Sequence, residues 1–244
     1  MDLETYENTH PHVKLDGITF HTPNKHCLWR VETLYTKEPD TIEWIKSMRP
    51  GQVLYDVGAN MGQYALFAAY RGITVHAFEP EAQNFALLTR NIATNKLDNI
   101  TAWPLALSNK PEIAVMHLTN MGAGGSCHSF GQSINYNGEP KHFPYTQGSI
   151  ATTLDILSSQ LSPPDHIKID VDGFEHLVIE GGITALRQAK SVLIEINTHY
   201  AEHMDVLVPR MLNHGFTYSE AQAESSRRKE GPFKGIGNII FYKG

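Results

Sequence analysis

The sequence predicts an α/β protein whose doubly wound, mostly parallel sheet is closed by an antiparallel strand. From residue 53 onward, short apolar runs of strand length alternate with longer segments of helical periodicity. Such alternation is typical of βαβ units, which place parallel strands in one sheet. Near the C-terminus two further apolar runs, 216–219 and 238–242, are expected to pair as the closing strands.

Each predicted strand is a short apolar run bounded by glycine, proline or polar residues. The core strands cover residues 53–57, 74–78, 100–104, 166–171 and 192–196, with a further strand at 113–118. Apolar residues three and four apart predict helices at 41–46, 63–70, 81–95 and 206–213. A helix that begins near Phe174 should break at Gly181 and Gly182, because each glycine costs about 1 kcal/mol inside a helix.

Composition bounds the class of protein and its partners. The 244 residues are enough for one α/β domain with a buried core. The formal net charge of -6 argues against a nucleic-acid partner, since such binders usually carry a basic face. No apolar run approaches the ~20 residues that cross a bilayer, so we expect no membrane partner. The acidic, polar N-terminus is unlike a signal peptide, which predicts a cytoplasmic protein; a homo-oligomer stays open.

The segment after the first core strand has the features of a ligand cradle. Gly58 and Gly62 are spaced G-x-x-x-G around a tight turn before a helix, where glycine lets the backbone approach a ligand closely. The dinucleotide fingerprint is G-x-G-x-x-G instead, and Asp56 beside the turn suits a cationic ligand better than a pyrophosphate. Glu79 ends the next strand, where such folds place a carboxylate on ribose hydroxyls. Together these features indicate S-adenosylmethionine.

Three separated motifs resemble the FkbM-type S-adenosylmethionine-dependent methyltransferases. They are D-V-G-A-N-M-G-Q-Y from residue 56, F-E-P-E-A-Q-N-F-A-L-L-T-R-N from residue 78 and I-K-I-D-V-D-G-F-E-H from residue 167. Asp172 stands where that family more often has Glu, a conservative difference. The resemblance implies a Rossmann-like class I methyltransferase fold. It also implies O-methylation of a hydroxyl on a small molecule, sugar or glycan.

The same resemblance implies a layout for the site. The turn under the methionine half of the cofactor would be formed by Gly58, Asn60 and Gly62. Glu79 would hold the ribose hydroxyls, and the adenine pocket would be formed by Ala106, Leu107 and Ser108.

The resemblance also suggests how the chain divides. Residues 51–244 would be the S-adenosylmethionine-binding methyltransferase domain, and residues 1–50 an N-terminal segment that covers the substrate side. Residues 120–148 are rich in Gly, Ser, Asn and Pro and show no regular pattern. A loop of that length inside a compact domain is usually functional or disordered. We expect an acceptor-side insertion, with a plain surface insertion as the alternative.

Acids that end the predicted strands are expected to meet at one edge of the sheet, because ligands bind beyond the carboxyl ends of such strands. Lys168, Asp170 and Asp172 alternate with apolar residues and therefore share one face of their strand. In the functional interpretation Asp170 lies beside the methionine moiety or the acceptor. In the alternative, Lys168 and Asp170 are an ion pair that caps the strand.

A hydroxyl acceptor has a high pKa, so a general base helps methyl transfer, and histidine is the usual one. Our first candidate is His199, which follows the fifth core strand, and our second is His176. A Mg²⁺ site is the competing device, which the resemblance does not favour; its oxygen ligands would be Asp170, Asp172, Glu195 and Asn197. The basic run Arg227, Arg228 and Lys229 either contacts an acidic acceptor or is solvated.

Two other functions stay open at this point. One is an NAD- or nucleotide-sugar-dependent oxidoreductase on a related Rossmann fold, against which the missing central glycine argues. The other is a non-catalytic S-adenosylmethionine-binding module, which would keep the glycine turn and Glu79 without turnover.

Overall fold

The computed structural model describes residue 9 and residues 11–244. Residues 1–8 and 10, which belong to the predicted N-terminal segment 1–50, lie outside the described residues. In chain order the strands are β1 (His12–Leu15), β2 (Ile18–His21), β3 (Val53–Val57), β4 (Thr74–Phe78), β5 (Ile100–Trp103), β6 (Ala106–Leu107), β7 (Glu112–Leu118), β8 (Ser129–Phe130), β9 (Tyr145–Thr152), β10 (His166–Ile169), β11 (Ser191–Asn197), β12 (Phe216–Tyr218) and β13 (Ile236–Lys243).

Helices flank these strands. They are α1 (Lys25–Glu32), α2 (Pro39–Ser47), α3 (Gln63–Tyr70), α4 (Ala82–Asn95), α5 (Leu154–Gln160), α6 (Glu175–Glu180), α7 (Ile183–Gln188), α8 (Val208–Asn213) and α9 (Glu220–Ser226), with a π-helical turn at Glu202–Leu207 that leads into α8. None of the helices in the described part of the chain has both the length and the apolar character to cross a membrane.

The central sheet confirms the predicted architecture. Its seven strands lie in the order β12-β13-β11-β10-β3-β4-β5. The five strands from β11 to β5 pair in parallel, and β13 pairs antiparallel with β11 and with β12. The strand order reverses on either side of β3, so the carboxyl ends of β3 and β10 meet at a topological switch point. In open α/β sheets that is where ligands bind.

Local sequence sets the elements around this point. Strand β3, helix α3 and strand β4 have the predicted bounds. Thr153 caps α5 by accepting a hydrogen bond from the backbone of Ile156, which satisfies a donor that the first helical turn leaves free. The predicted break at Gly181 and Gly182 is confirmed, since α6 ends at Glu180 and α7 begins at Ile183.

A second, four-stranded sheet was not expected. Its order is β6-β9-β7-β8, and the long antiparallel pair β7 and β9 dominates it. The expectation of a continuous irregular segment at 120–148 is therefore wrong at two places, because β8 and the start of β9 lie inside it. Residues 106–107, placed just past a core strand in the sequence interpretation, form β6 of this sheet.

The N-terminal segment shares a hydrophobic core with the sheet. Phe20, Ile45 and Trp44 are buried in one cluster with Leu54 of β3. Polar contacts add to this packing: Asn95 of α4 accepts a hydrogen bond from the backbone of Thr19 at 2.7 Å and donates one back at 2.7 Å. The described part of residues 1–50 is thus packed as part of the domain.

Truncating a buried side chain of this segment should therefore destabilise the whole protein. We expect Phe20→Ala to lower the free energy of unfolding by about 3–5 kcal/mol, because it leaves a cavity in the shared core. Urea unfolding followed by circular dichroism and tryptophan fluorescence would measure this. Ile113→Ala, at a side chain that is 84% exposed, is the control and should change stability by no more than about 0.5 kcal/mol. A biphasic transition in which one phase alone shifts would contradict the shared core.

Candidate active site

The turn after β3 brings backbone very close to the neighbouring strand end. Gly58 has φ +82°, and a Cβ there would lie 1.9 Å from the carbonyl oxygen of Asp170, so no larger residue fits. Gly62 has φ +89°, and a Cβ there would lie 2.4 Å from Leu88 Cδ1. Asn60, between them, is also left-handed at φ +51°, a conformation that asparagine tolerates better than most residues. Both glycines of the predicted cradle are thus required by the backbone.

Glu79 lies directly beside this turn. Its carboxylate accepts hydrogen bonds from the backbone N–H of Asn60 at 2.7 Å and of Glu81 at 2.9 Å. The residue is 5% exposed, and no basic side chain of residues 9 and 11–244 pairs with it. Burial raises the pKa of Glu79 to about 7, although the two backbone hydrogen bonds act in the opposite direction. The carboxylate is held in place with acceptor capacity left for a ligand.

A buried lysine joins the ends of β3 and β10. Lys168 is opposite Asp56 in the register of the two strands. Its ammonium nitrogen lies 3.1 Å from Asp170 Oδ2 and 3.7 Å from Asp56 Oδ1, and 5.3 Å from the centre of the Tyr64 ring. Burial would lower the pKa of Lys168, but Asp170 and Asp56 outweigh it and raise that pKa. The Lys168–Asp170 ion pair of the alternative interpretation is present, and both residues also line the cavity described below.

The strand-end acids Asp170 and Glu195 lie close together, and Glu175 of α6, which was not predicted, joins them. Oxygens of Asp170, Glu175 and Glu195 lie within 4.8 Å of one another. Burial, and then Asp170, raises the pKa of Glu195 well above its usual range. Asp172 accepts a hydrogen bond from the backbone N–H of Cys127 at 2.6 Å. Burial, followed by the charge of Asp170, raises the pKa of Asp172 to about 7.

The amide of Asn197 is used elsewhere. Its nitrogen donates to the backbone carbonyl of Tyr136 at 3.1 Å and to Asn137 Oδ1 at 2.7 Å, and its oxygen accepts from the backbone of His199 at 3.0 Å. It therefore anchors segment 120–148. The carboxylate cluster that could hold a cation comprises Asp170, Glu175 and Glu195, and Asp172 of the predicted metal set is not part of it.

These groups surround a cavity of about 450 Å³, a size typical of small-molecule sites. The predicted site residues that line it are Gly58, Asn60, Glu79, Ala106, Leu107, Asp170, Asp172 and Glu195. Asp56 is fully buried behind Lys168, Gly62 faces Leu88, and Ser108 packs against Gly181. Those three predicted cofactor contacts are one layer behind the cavity wall.

Neither predicted histidine base is brought to the cavity wall. His199 is solvent-exposed and packs beside Gly235, because the chain turns away from the site after β11 ends at Asn197. His176, on α6, has its ring 5.9 Å from that of Tyr200 and 6.1 Å from that of His203. Helix α6 thus turns His176 toward the π-helical turn and away from the strand ends.

Several lining residues were not among the predicted site residues. The sequence analysis did not single out those from α1, the turn after it and α3, which are Trp29, Arg30, Lys37 and Tyr64. It named Lys168 of β10 and Arg228 of the C-terminal loop, which also line the cavity, but left each with a purely structural alternative. The basic run 227–229 is divided: Arg228 lies 3.4 Å from Glu195 Oε1 at the cavity, while Arg227 and Lys229 pair with Glu224 outside it. The alternation around Lys168 was a usable signal. Arg30 carried no such signal, because it belongs to no predicted strand or helix.

A family model assigns the chain. The model of the methyltransferase FkbM domain matches residues 56–218, a stretch that runs from the end of β3 to β12 and contains the switch point. The chain belongs to the FkbM methyltransferase family. The predicted resemblance is therefore confirmed. Membership in a methyltransferase family argues against the oxidoreductase alternative.

Two relatives show how much of each whole chain the sequence similarity covers. The 31-O-demethyl-FK506 methyltransferase FkbM of Streptomyces tacrolimicus is 48% identical over 52 residues, which cover 20% of each chain. The hexuronic acid methyltransferase AglP of Haloferax volcanii is 26% identical over 176 residues, 70% of this chain and 66% of its own length. The chain thus spans less than two thirds of either relative.

Solved structures confirm the class I methyltransferase fold. An rRNA methylase from Streptococcus thermophilus superposes with a TM-score of 0.52 at 10% identity, over 84% of this chain and 94% of its own. A proposed tRNA methyltransferase of Streptococcus pneumoniae, solved with S-adenosyl-L-methionine, gives 0.50 at 13% identity, over 85% and 73% of the two chains. At these identities the likeness concerns the fold.

The residues present fit S-adenosylmethionine, the cofactor expected for this family. The glycine cradle has no room for a Cβ at Gly58, and a buried carboxylate lies next to it at Glu79. An apolar wall follows at Phe78 and Leu107. Together they offer, within one cavity, a close approach to the backbone, a carboxylate that can accept hydrogen bonds from ribose hydroxyls and an apolar surface for the flat adenine ring.

Removing the charge of Glu79 should raise stability and weaken cofactor binding. The folded-state pKa of about 7 exceeds the ordinary value of 4.5, so the native state binds more protons and Glu79 stabilises it less as pH rises from 4.5 through 7. Glu79→Gln should therefore be more stable than the wild type at pH 8, by on the order of 2 kcal/mol more than at pH 5.

Thermal unfolding of the ligand-free proteins at both pH values would measure this difference, with the exposed Glu230→Gln as the control. Calorimetric titration of S-adenosylhomocysteine should show weaker binding to Glu79→Gln by about 1–3 kcal/mol, because polar ligand groups lose their partner. An identical pH dependence in all three proteins would contradict a buried, proton-binding Glu79.

Proposed function

We propose that the protein transfers a methyl group from S-adenosylmethionine to a hydroxyl oxygen of a small molecule, sugar or glycan. The observation that carries the proposal is that Asp170, Asp172 and Glu195 line the same cavity as the glycine turn and Glu79. The oxygens of carboxyl groups accept hydrogen bonds, so a cluster of these groups suits an acceptor rich in O–H donors. The hexuronic acid methyltransferase among the relatives supports a carbohydrate-type acceptor.

The proposal assigns one side of the cavity to the cofactor. Gly58 and Asn60 lie under its methionine half, Glu79 takes its ribose hydroxyls, and Ala106 and Leu107 border its adenine. Asp56, Gly62 and Ser108 support these groups from behind the wall: Asp56 through Lys168, and the other two through close packing.

The opposite side is assigned to the acceptor. Its walls come from the N-terminal segment at Trp29, from segment 120–148 at Tyr136 and from the C-terminal loop at Phe233. The rings of Tyr136 and Phe233 lie 5.3 Å apart, and the Tyr136 hydroxyl donates to the carbonyl of Pro232 at 3.0 Å. Flat aromatic surfaces with polar tips suit a ligand that has both apolar and hydroxylated faces.

The chain's own residues have two tasks in this reaction. When bound, S-adenosylmethionine supplies the methyl group and keeps the electron pair of the broken S–C bond as a thioether. The walls must hold the acceptor oxygen in line with that methyl group, and a base must take the hydroxyl proton as the C–O bond forms. We assign the proton to Asp172, which lines the cavity and has a pKa of about 7, close to the ideal for a base at neutral pH.

Calorimetry with S-adenosylhomocysteine, in EDTA and in Mg²⁺, followed by an assay of its production with a panel of sugars, tests the proposal. We expect micromolar binding and turnover with a hydroxylated acceptor. Comparing a sugar with its amino analogue separates transfer to oxygen from transfer to nitrogen. No binding by the wild type would overturn the assignment of the cavity. Binding without turnover on any acceptor would favour the non-catalytic module, and a requirement for Mg²⁺ would favour the metal-assisted alternative.

Replacing the proposed base should remove the pH dependence of the chemical step. With cofactor and acceptor saturating, wild-type kcat should rise with pH and level off above about 7, as Asp172 loses its proton. Asp172→Asn should lower kcat by about 100-fold or more and flatten the profile, while the exposed Asp98→Asn should match the wild type. If Asp172→Asn keeps its rate and Glu195→Gln loses it, the proton belongs to Glu195.

A further inference from the structure

Arg30 is exceptional among the cations that line the cavity. Lys37 pairs with Glu38 at 2.6 Å, Lys168 with Asp170 at 3.1 Å and Arg228 with Glu195 at 3.4 Å. Across the described ranges, 9 and 11–244, no carboxylate forms a salt bridge with Arg30. Its hydrogen bond runs from Nε to the backbone carbonyl of Gly124 at 2.8 Å, so both terminal nitrogens of the guanidinium are available.

Because Arg30 is buried, the lack of an anionic partner is costly. The residue is 8% exposed, and a guanidinium keeps its charge at any physiological pH. A buried charge is normally paired or fully hydrogen-bonded, because it has lost its contact with water. An arginine held in this state beside a cavity is suited to receive an anion from a ligand.

The position and the shape of the Arg30 guanidinium indicate which anion it can bind. The single anchor on Gly124 fixes Nε, and the next carbonyl, that of Gly125, accepts the side-chain amide of Asn60 in the glycine turn at 2.7 Å. One short loop therefore connects the guanidinium with the proposed methionine side of the cavity. The planar fork of arginine matches a carboxylate in a two-point contact.

We propose that Arg30 is the carboxylate-binding residue of this cavity. The carboxylate belongs either to the methionine half of the cofactor or to an acidic acceptor such as a uronic acid, and the chemistry of recognition is the same. This inference rests on the proposed function. It adds to that function a binding residue from the N-terminal segment.

Binding measurements separate the two sources. In the first arm, S-adenosylhomocysteine and 5′-deoxy-5′-methylthioadenosine, which lacks the amino-acid carboxylate, are titrated into wild type, Arg30→Met and the control Arg49→Met. A loss of ten-fold or more for S-adenosylhomocysteine, with methylthioadenosine unchanged, assigns Arg30 to the cofactor. In the second arm, D-glucuronate and methyl glucoside are titrated in the presence of S-adenosylhomocysteine. A loss confined to glucuronate assigns Arg30 to the acceptor.

A conservative variant and the stability of the ligand-free protein test the role of Arg30 further. Arg30→Lys retains the charge without the fork and should bind at an intermediate affinity. Because an unpaired buried charge is removed, ligand-free Arg30→Met should melt no lower than Arg49→Met. If both arms give wild-type affinities in Arg30→Met, or if Arg30→Met and Arg30→Lys both fail to fold, Arg30 is structural and the proposal is wrong. If the wild type does not bind S-adenosylhomocysteine at all, the proposed function fails first, and that result is distinct from a failure of Arg30 alone.

Discussion

The geometry of the site depends on the ion pairs that the ammonium group of Lys168 makes with Asp56 and Asp170. This ammonium group is almost completely buried between the carboxylates of Asp56 and Asp170 and the face of Tyr64. Parallel pairing of β3 with β10 places Lys168 opposite Asp56, so the register of the sheet and the ion pair support each other. Removing one partner from such a buried pair costs about 3–5 kcal/mol, because the other charge is left without compensation. The same contact keeps Asp170 at the mouth of the glycine turn.

The network around Lys168 reaches parts of the chain that are far apart in sequence. Glu38, after α1, accepts hydrogen bonds from the Tyr64 hydroxyl and the Asn238 amide, both at 3.0 Å. It also lies 3.5 Å from Arg228 of the C-terminal loop. Burial alone would raise the pKa of Glu38, but the cations Lys37, Lys168 and Arg228 outweigh it and hold that pKa at about 2. The N-terminal and C-terminal walls of the cavity are therefore fixed by one ionised carboxylate.

Segment 120–148 completes the enclosure through backbone groups. The carbonyl of Gly125 accepts the amides of Asn60 and Asn84 at 2.7 and 3.1 Å, and the N–H of Cys127 donates to Asp172. Gly173 has φ +110°, and a Cβ there would lie 3.0 Å from the Cα of Tyr136. These contacts connect the wall that we propose for the acceptor with the glycine turn and the acid cluster. A few hydrogen bonds therefore join the two proposed sides of the cavity.

The sequence by itself determined the parallel sheet, the glycine cradle, Glu79 and the strand-end acids. Each of these depends on local periodicity or on a short motif, such as the G-x-x-x-G spacing that begins at Gly58. The tertiary structure decided which polar residues face the cavity. Asp56 and Ser108 lie one layer behind it. His199 turns away from it because the chain changes direction after β11 ends at Asn197. Arg30, Lys37 and Arg228 reach the cavity from distant segments, and the strands within 120–148 exist through pairing with β7. Such contacts join residues far apart along the chain, where periodicity carries no signal.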